Sequence, residues 1–167
     1  PDGHCRVMDK PDTSEALLIN LGKKLESAGA DILAPSDMGD NTVQNLKAET
    51  DCEVMAYVKY RSVFYSSFRN LADSTPTTER TYQLPINGDS GMIATANKFR
   101  SQKADYLLLK PAQHSLNDLG MISISTYNPV GLYQVSDEYL GLPTVEHQIE
   151  IAKVYRKAGA KFLVTYG

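Results

Sequence analysis

Glu53-Val54-Met55-Ala56-Tyr57-Val58-Lys59 and Ala104-Asp105-Tyr106-Leu107-Leu108-Leu109-Lys110-Pro111 decide the fold. Each is a short, almost continuous apolar run that finishes on a lysine. Such runs suit strands covered on both faces of a parallel sheet, whereas a half-exposed strand alternates apolar with polar residues. Two strands of one parallel sheet deliver both amines to its carboxyl edge, where α/β proteins assemble their sites. An unprotonated amine there forms an imine with a ketone, and an apolar wall or a second cation favours the neutral form. Taken singly, a strand-end lysine usually points at solvent, because lysine is seldom buried.

A weak internal repeat surrounds these runs. Ser27-Ala28-Gly29-Ala30-Asp31-Ile32-Leu33, Gln102-Lys103-Ala104-Asp105-Tyr106-Leu107-Leu108 and Lys157-Ala158-Gly159-Ala160-Lys161-Phe162-Leu163 each read as a helix end, a small turn and a buried strand. Glycine suits the left-handed position just past a helix. Strands are expected over 32–34, 53–58, 106–109, 131–135 and 162–165, with 122–125 as a further candidate. Helices fit between them. Thr13 or Ser14 caps one whose Leu17, Leu18, Leu21 and Leu25 form a stripe read as core. Thr144 caps another with Val145, Ile149 and Ala152 facing inward, and 91–100 carries Met92, Ala96 and Phe99 at helical spacing. Residues 74–78 read as a surface loop over the site.

With 167 residues, 42% hydrophobic and 22% charged, the composition is that of an ordinary globular protein with a sizeable core. A formal net charge of -3 without a basic cluster argues against a nucleic-acid surface. No apolar run approaches the roughly 20 residues of a membrane span. Two cysteines, Cys5 and Cys52, are too few for a disulfide scaffold and suit a reducing compartment, the cytoplasm or an organelle matrix, plastid and mitochondrion included. The first residue is Pro1, so a targeting segment could precede it.

Further words stand in order: Asp2-Gly3-His4-Cys5, Ala30-Asp31-Ile32-Leu33-Ala34-Pro35-Ser36-Asp37-Met38, Phe64-Tyr65-Ser66-Ser67-Phe68-Arg69, Arg80-Thr81-Tyr82-Gln83-Leu84-Pro85, Tyr133-Gln134-Val135-Ser136-Asp137-Glu138-Tyr139 and Val164-Thr165-Tyr166. With the two lysine runs, this set resembles delta-aminolevulinic acid dehydratase, also called porphobilinogen synthase, from Asp2 to Tyr166. The resemblance implies an α/β fold of the (β/α)8 TIM-barrel family. Only about five strands can be counted here, where a closed barrel needs eight and typically ~250 residues. Residues 1–167 are thus expected to form a single partial barrel domain, without the family's amino-terminal arm and first strands. Its two sheet edges would call for another chain to cover them.

The resemblance also implies chemistry: two 5-aminolevulinate molecules condense, lose two waters and give porphobilinogen, as a step of tetrapyrrole synthesis. By motif, Lys110 matches the principal Schiff-base lysine and Lys59 the second. Ser136 and Tyr166 are implied to hold one substrate carboxylate, and Arg69, Arg80 and Gln83 the other, with Tyr65 covering the lysines. A guanidinium presents a planar fork to a carboxylate, which suits Arg69 and Arg80. Cys5 resembles the last of three zinc cysteines in metal-dependent members, and magnesium is the other ion the resemblance admits. No organic cofactor is implied. Catalytic zinc usually keeps three protein ligands, and Cys5 with His4 supplies too few. Homo-octamers are the family's common assembly. His114 and His147 read as structural or surface residues.

Departures from the family pattern are specific. Ser66-Ser67 replaces the usual Gly-Pro, and Asp137 replaces the glycine after Ser136. Gly39-Asp40-Asn41 lacks the usual arginine, and Glu79 stands in the slot of a basic residue. These support a second reading, a shortened and catalytically inactive dehydratase-like subunit with a structural role in a larger assembly. A class I aldolase is a third, but one imine has no need of two lysines.

Overall fold

The computed structural model describes residues 11–37, 39–73, 75, 83–86 and 91–166. Five parallel strands form one sheet in sequence order: β1 (Ile32–Leu33), β2 (Glu53–Lys59), β3 (Tyr106–Lys110), β4 (Val130–Tyr133) and β5 (Leu163–Val164). α1 (Pro11–Ser27) precedes β1, and between the strands run α2 (Thr42–Glu49), α3 (Ser66–Leu71), α4 (Gly91–Ser101), α5 (Leu116–Thr126), α6 (Ser136–Leu140) and α7 (Val145–Ala158). Parallel neighbours need crossovers, and the helices are those crossovers.

The two faces of the sheet differ. Val54, Ala56 and Val58 of β2, Leu107 and Leu109 of β3, and Val130 and Leu132 of β4 share one core with Met92, Ala96, Leu119, Ile122 and Tyr155 from the helices. The other face carries Glu53, Met55, Tyr57 and Lys59 along β2, with exposure falling toward the carboxyl end. On that face Phe162 lies over Gly131, where a Cβ would stand 2.3 Å from the ring. Only glycine fits beneath it.

Register is fixed by side chains at the strand starts. Asp105 accepts the Val54 N–H at 2.7 Å and pairs with Lys47 at 2.9 Å. Asn128 donates to the Ala104 carbonyl at 2.7 Å. The helix ends repeat one hydrogen-bond pattern. Gly29, Lys103 and Gly159 all take positive φ, at 95°, 66° and 114°. Each donates to the carbonyl three residues back, and the next residue donates to the one five back. This is the Schellman closure of a helix.

Four readings of the sequence are corrected. Residues 122–125 lie in α5, not in a strand, because Leu119 and Ile122 at helical spacing enter the core. Leu17, Leu21 and Leu25 are exposed. The inner face of α1 is set instead by Gly22, where a Cβ would sit 2.7 Å from Leu46 Cδ2, with Ile19 packed against the core. α7 buries Tyr155, packs the partly buried Ile151 against the core and leaves Val145 and Ile149 exposed. Thr13 and Ser14 lie inside α1 rather than capping it, whereas Thr144 does cap α7 by accepting the His147 N–H. Residues 74 and 76–78 of the expected surface loop fall outside the described residues.

Candidate active site

The β2–β3 register sets Lys59 opposite Lys110, each the last residue of its strand. Period two puts Tyr57 on the face of Lys59, and Tyr133 stands one step beyond the Leu109–Leu132 pair, beside Lys110. Both lysines are nearly excluded from solvent, at 7% and 9% relative exposure. Lys110 Nζ is 4.4 Å from the centroid of the Tyr57 ring, 5.4 Å from that of Tyr133 and 5.9 Å from that of Tyr65. Lys59 Nζ lies 5.9 Å from the same Tyr57 centroid and donates to the Asp37 carbonyl at 3.3 Å.

Both lysines line one cavity at the carboxyl ends of the strands, and Tyr65, Arg69, Gln83, Ser136 and Tyr166 line it too. Tyr65 is buried and donates to the Tyr60 carbonyl at 3.0 Å. Arg69 stacks on the Tyr65 ring, Cζ 4.7 Å from its centroid, and its Nη2 donates to Gln83 Oε1 at 3.4 Å. Gln83 is brought in by a parallel bridge between Tyr60 and Leu84, in which Leu84 N donates to the Lys59 carbonyl at 3.0 Å. Arg80 and Glu79 lie outside the described residues, as do His4 and Cys5.

Ser136 opens α6 beyond the end of β4, and its Oγ accepts the Phe68 N–H at 3.2 Å. Tyr166 follows β5. Its ring stacks on Tyr133 at 6.3 Å, and its hydroxyl accepts from the Tyr133 hydroxyl at 3.4 Å. Burial pushes the Tyr166 phenol well above its ordinary value, so it remains neutral.

Sequence reasoning gave no role to Tyr57, Tyr133, Asp137 or Glu138. Strand periodicity from Lys59 would have found Tyr57. Glu138 is buried, and its carboxylate accepts three backbone N–H groups, from Ala112 at 3.1 Å, Gln113 at 2.7 Å and Val135 at 2.8 Å. It therefore holds the loop after Lys110 against the loop after β4. His114 packs edge-on against Phe64 with centroids 4.9 Å apart, and burial lowers its basicity. His147 sits at the α7 cap beside Thr144.

A family model for delta-aminolevulinic acid dehydratase matches residues 1–167. The chain belongs to that family. The dehydratase of Halalkalibacterium halodurans is 33% identical over 98% of this chain and 57% of its own length. The chloroplastic dehydratase of Oryza sativa is 34% identical over 99% of this chain and 44% of its own. A crystal structure of the Toxoplasma gondii enzyme, in complex with its reaction product porphobilinogen, superposes with a TM-score of 0.81 at 29% identity, over 96% of this chain and 52% of that one. The chain thus spans about half the length of the dehydratases it matches, and its five parallel strands with their helices are a half-barrel of α/β type.

Dehydratases are, as a family, generally metal-dependent. Among the described residues of this member, no group of three or more His, Cys, Asp and Glu side chains converges on one point. Cys52 is buried, and its Sγ donates to the Ala30 carbonyl at 3.1 Å. Burial, aided by nearby carboxylates, raises its thiol above the ordinary value, which disfavours the metal-binding thiolate. Among the described residues no helix is long and apolar enough to cross a membrane.

Proposed function

We propose that this chain houses the imine-forming centre of a porphobilinogen synthase. In that reaction two 5-aminolevulinate molecules condense, two waters leave, and porphobilinogen forms while the substrates are held as imines on Lys59 and Lys110. One observation carries the proposal: the two lysines are register partners lining one cavity, both nearly excluded from solvent, with their Nζ atoms facing the same Tyr57 ring.

The aromatic wall has a specific chemical use. An electron-rich ring face stabilises a cation. Each imine must be protonated to become a good electrophile, and the Tyr57, Tyr65 and Tyr133 faces around Lys110 are suited to that iminium as well as to the resting ammonium. Removal from water and a neighbouring like charge act the other way and favour the neutral amine needed for attack. Arg69 and Gln83 on one side, and Ser136 and Tyr166 on the other, supply donors for the carboxylates, with Arg80 and Cys5 as further candidates by motif. By family likeness the chain is proposed to act as a homo-oligomer, an octamer in the family, in the cytoplasm or an organelle matrix.

A second reading has its own support. Asp137 brings a carboxylate to Ser136, which fits a non-catalytic subunit retained for assembly. Borohydride reduction with 5-aminolevulinate separates the two. A mass adduct on Lys110, lost in Lys110→Ala, supports the synthase. Folded protein that gains no adduct on either lysine supports the assembly role.

A further inference from the structure

The carboxylate of Asp137, next to the cavity-lining Ser136, is held by hydrogen-bond donors that include both serines of the α3 start. Ser66 Oγ donates to Oδ2 at 2.7 Å, Ser67 N donates to Oδ1 at 3.0 Å, and Ser136 Oγ lies 3.1 Å from Oδ1. These residues include the Ser66-Ser67 pair and Asp137, set apart above on the resemblance alone, and Ser66 meets Asp137 across 71 residues of sequence. The two departures are one structural unit.

The unit changes what Ser136 can offer. A serine hydroxyl has one proton to donate. For Ser136 that proton is contested by Asp137 Oδ1 at 3.1 Å and the Phe64 carbonyl at 3.3 Å, while the oxygen already accepts the Phe68 N–H at 3.2 Å. A substrate carboxylate seeking this hydroxyl must take the proton from Asp137 and then sit beside a second anion. Partial burial pushes the Asp137 carboxyl up, but the hydrogen bonds from Ser66, Ser67 and Ser136 together outweigh it and keep the group ionised at neutral pH.

From this contact we infer that Asp137 tunes the charge preference of the subsite beside Lys110, weakening its hold on a carboxylate relative to an uncharged oxo compound of the same shape. The inference rests on the reading of Lys110 as the imine former and of Ser136 and Tyr166 as the donors to one substrate carboxylate. It goes beyond that reading by naming a residue that works against the anion. Asp137 acts through Ser136 and through the field beside it, so it is a positioning and specificity residue. Two unit charges about 5 Å apart near a protein surface repel enough to weaken binding by about tenfold or more.

Levulinate and methyl levulinate test this, since they differ in one charge and share the ketone. The intact chain and Asp137→Asn are reduced with borohydride in the presence of each, and the adduct on Lys110 is quantified by mass spectrometry. The substitution keeps the size and leaves one oxygen to accept the Ser67 N–H, while its NH2 can donate to the Ser66 hydroxyl. The expected result is an acid-to-ester labelling ratio about tenfold higher in Asp137→Asn, with the difference shrinking as salt is raised. An equal ratio in the two proteins overturns the assignment while leaving Lys110 as the imine former. If neither reagent labels either protein, the imine reading falls. Ligand-observed NMR of levulinate then decides the charge effect alone: tighter binding to Asp137→Asn sustains it, and equal binding overturns it.

Discussion

The Glu138 carboxylate receives the backbone N–H of Gln113 at 2.7 Å, joining the turn after Lys110 to the turn after β4. Counting Ala112 and Val135, its two oxygens accept three backbone N–H groups, two of them buried. In Glu138→Gln one oxygen becomes an NH2, so at least one backbone N–H loses its acceptor, at about 1–3 kcal/mol. Urea denaturation of this variant should show that loss. Borohydride labelling of Lys110 should fall with it at temperatures where the variant is still folded, because the loop behind the lysine is no longer held.

Asp137 should make the chain acid-sensitive in a defined window. Its carboxyl titrates below the ordinary 3.8 when folded, since the serine hydrogen bonds outweigh partial burial. The unfolded chain therefore binds the proton first. The Asp137 contribution to stability is complete above about 3.8 and disappears as pH falls through the lower folded value. Denaturation of the intact chain and Asp137→Asn between neutral pH and pH 3 should show a stability gap that closes on the acid side.

Lys103 occupies a left-handed position with φ 66°, while the equivalent positions of the other two repeats are Gly29 and Gly159. A residue with a Cβ is strained there, so Lys103→Gly should stabilise the protein by about 1 kcal/mol. The reverse change, Gly159→Ala, should cost a similar amount. Thermal melts of the two variants should move in opposite directions.

Gly131 has no room for a methyl group, because the Phe162 ring lies where a Cβ would stand. Gly131→Ala should destabilise by about 1–3 kcal/mol through overpacking. Adding Phe162→Leu should recover part of that loss, giving a coupling energy of opposite sign to the single effects. A double-mutant cycle by chemical denaturation measures it.

Much of the fold was readable from the chain. The apolar runs that became β2 and β3 are uniform because both faces are covered near their ends, and the two glycines after α1 and α7 close their helices as their type suggests. The strand-end position of both lysines was readable for the same reason. Less readable was α2, whose inward face is Thr42, Val43 and Leu46 in an otherwise polar stretch. The Ile122-Ser123-Ile124-Ser125 alternation imitates a strand over four residues, yet Ile122 is buried and Ile124 exposed, as a helix demands. In α1 the leucines looked like the core stripe because large apolar residues weigh most in a periodicity, whereas the true contact face is marked by Gly22, a residue with no hydrophobic weight. Contacts such as Ser66 to Asp137 depend on the starts of α3 and α6 meeting, and no local pattern announces them.

The strands taper from seven residues in β2 to two in β1 and two in β5. An open sheet is normally an invitation to foreign strands, which dock on its unsatisfied rim. Among the described residues each rim offers barely one repeat of backbone groups, so an approaching segment would find almost no template there.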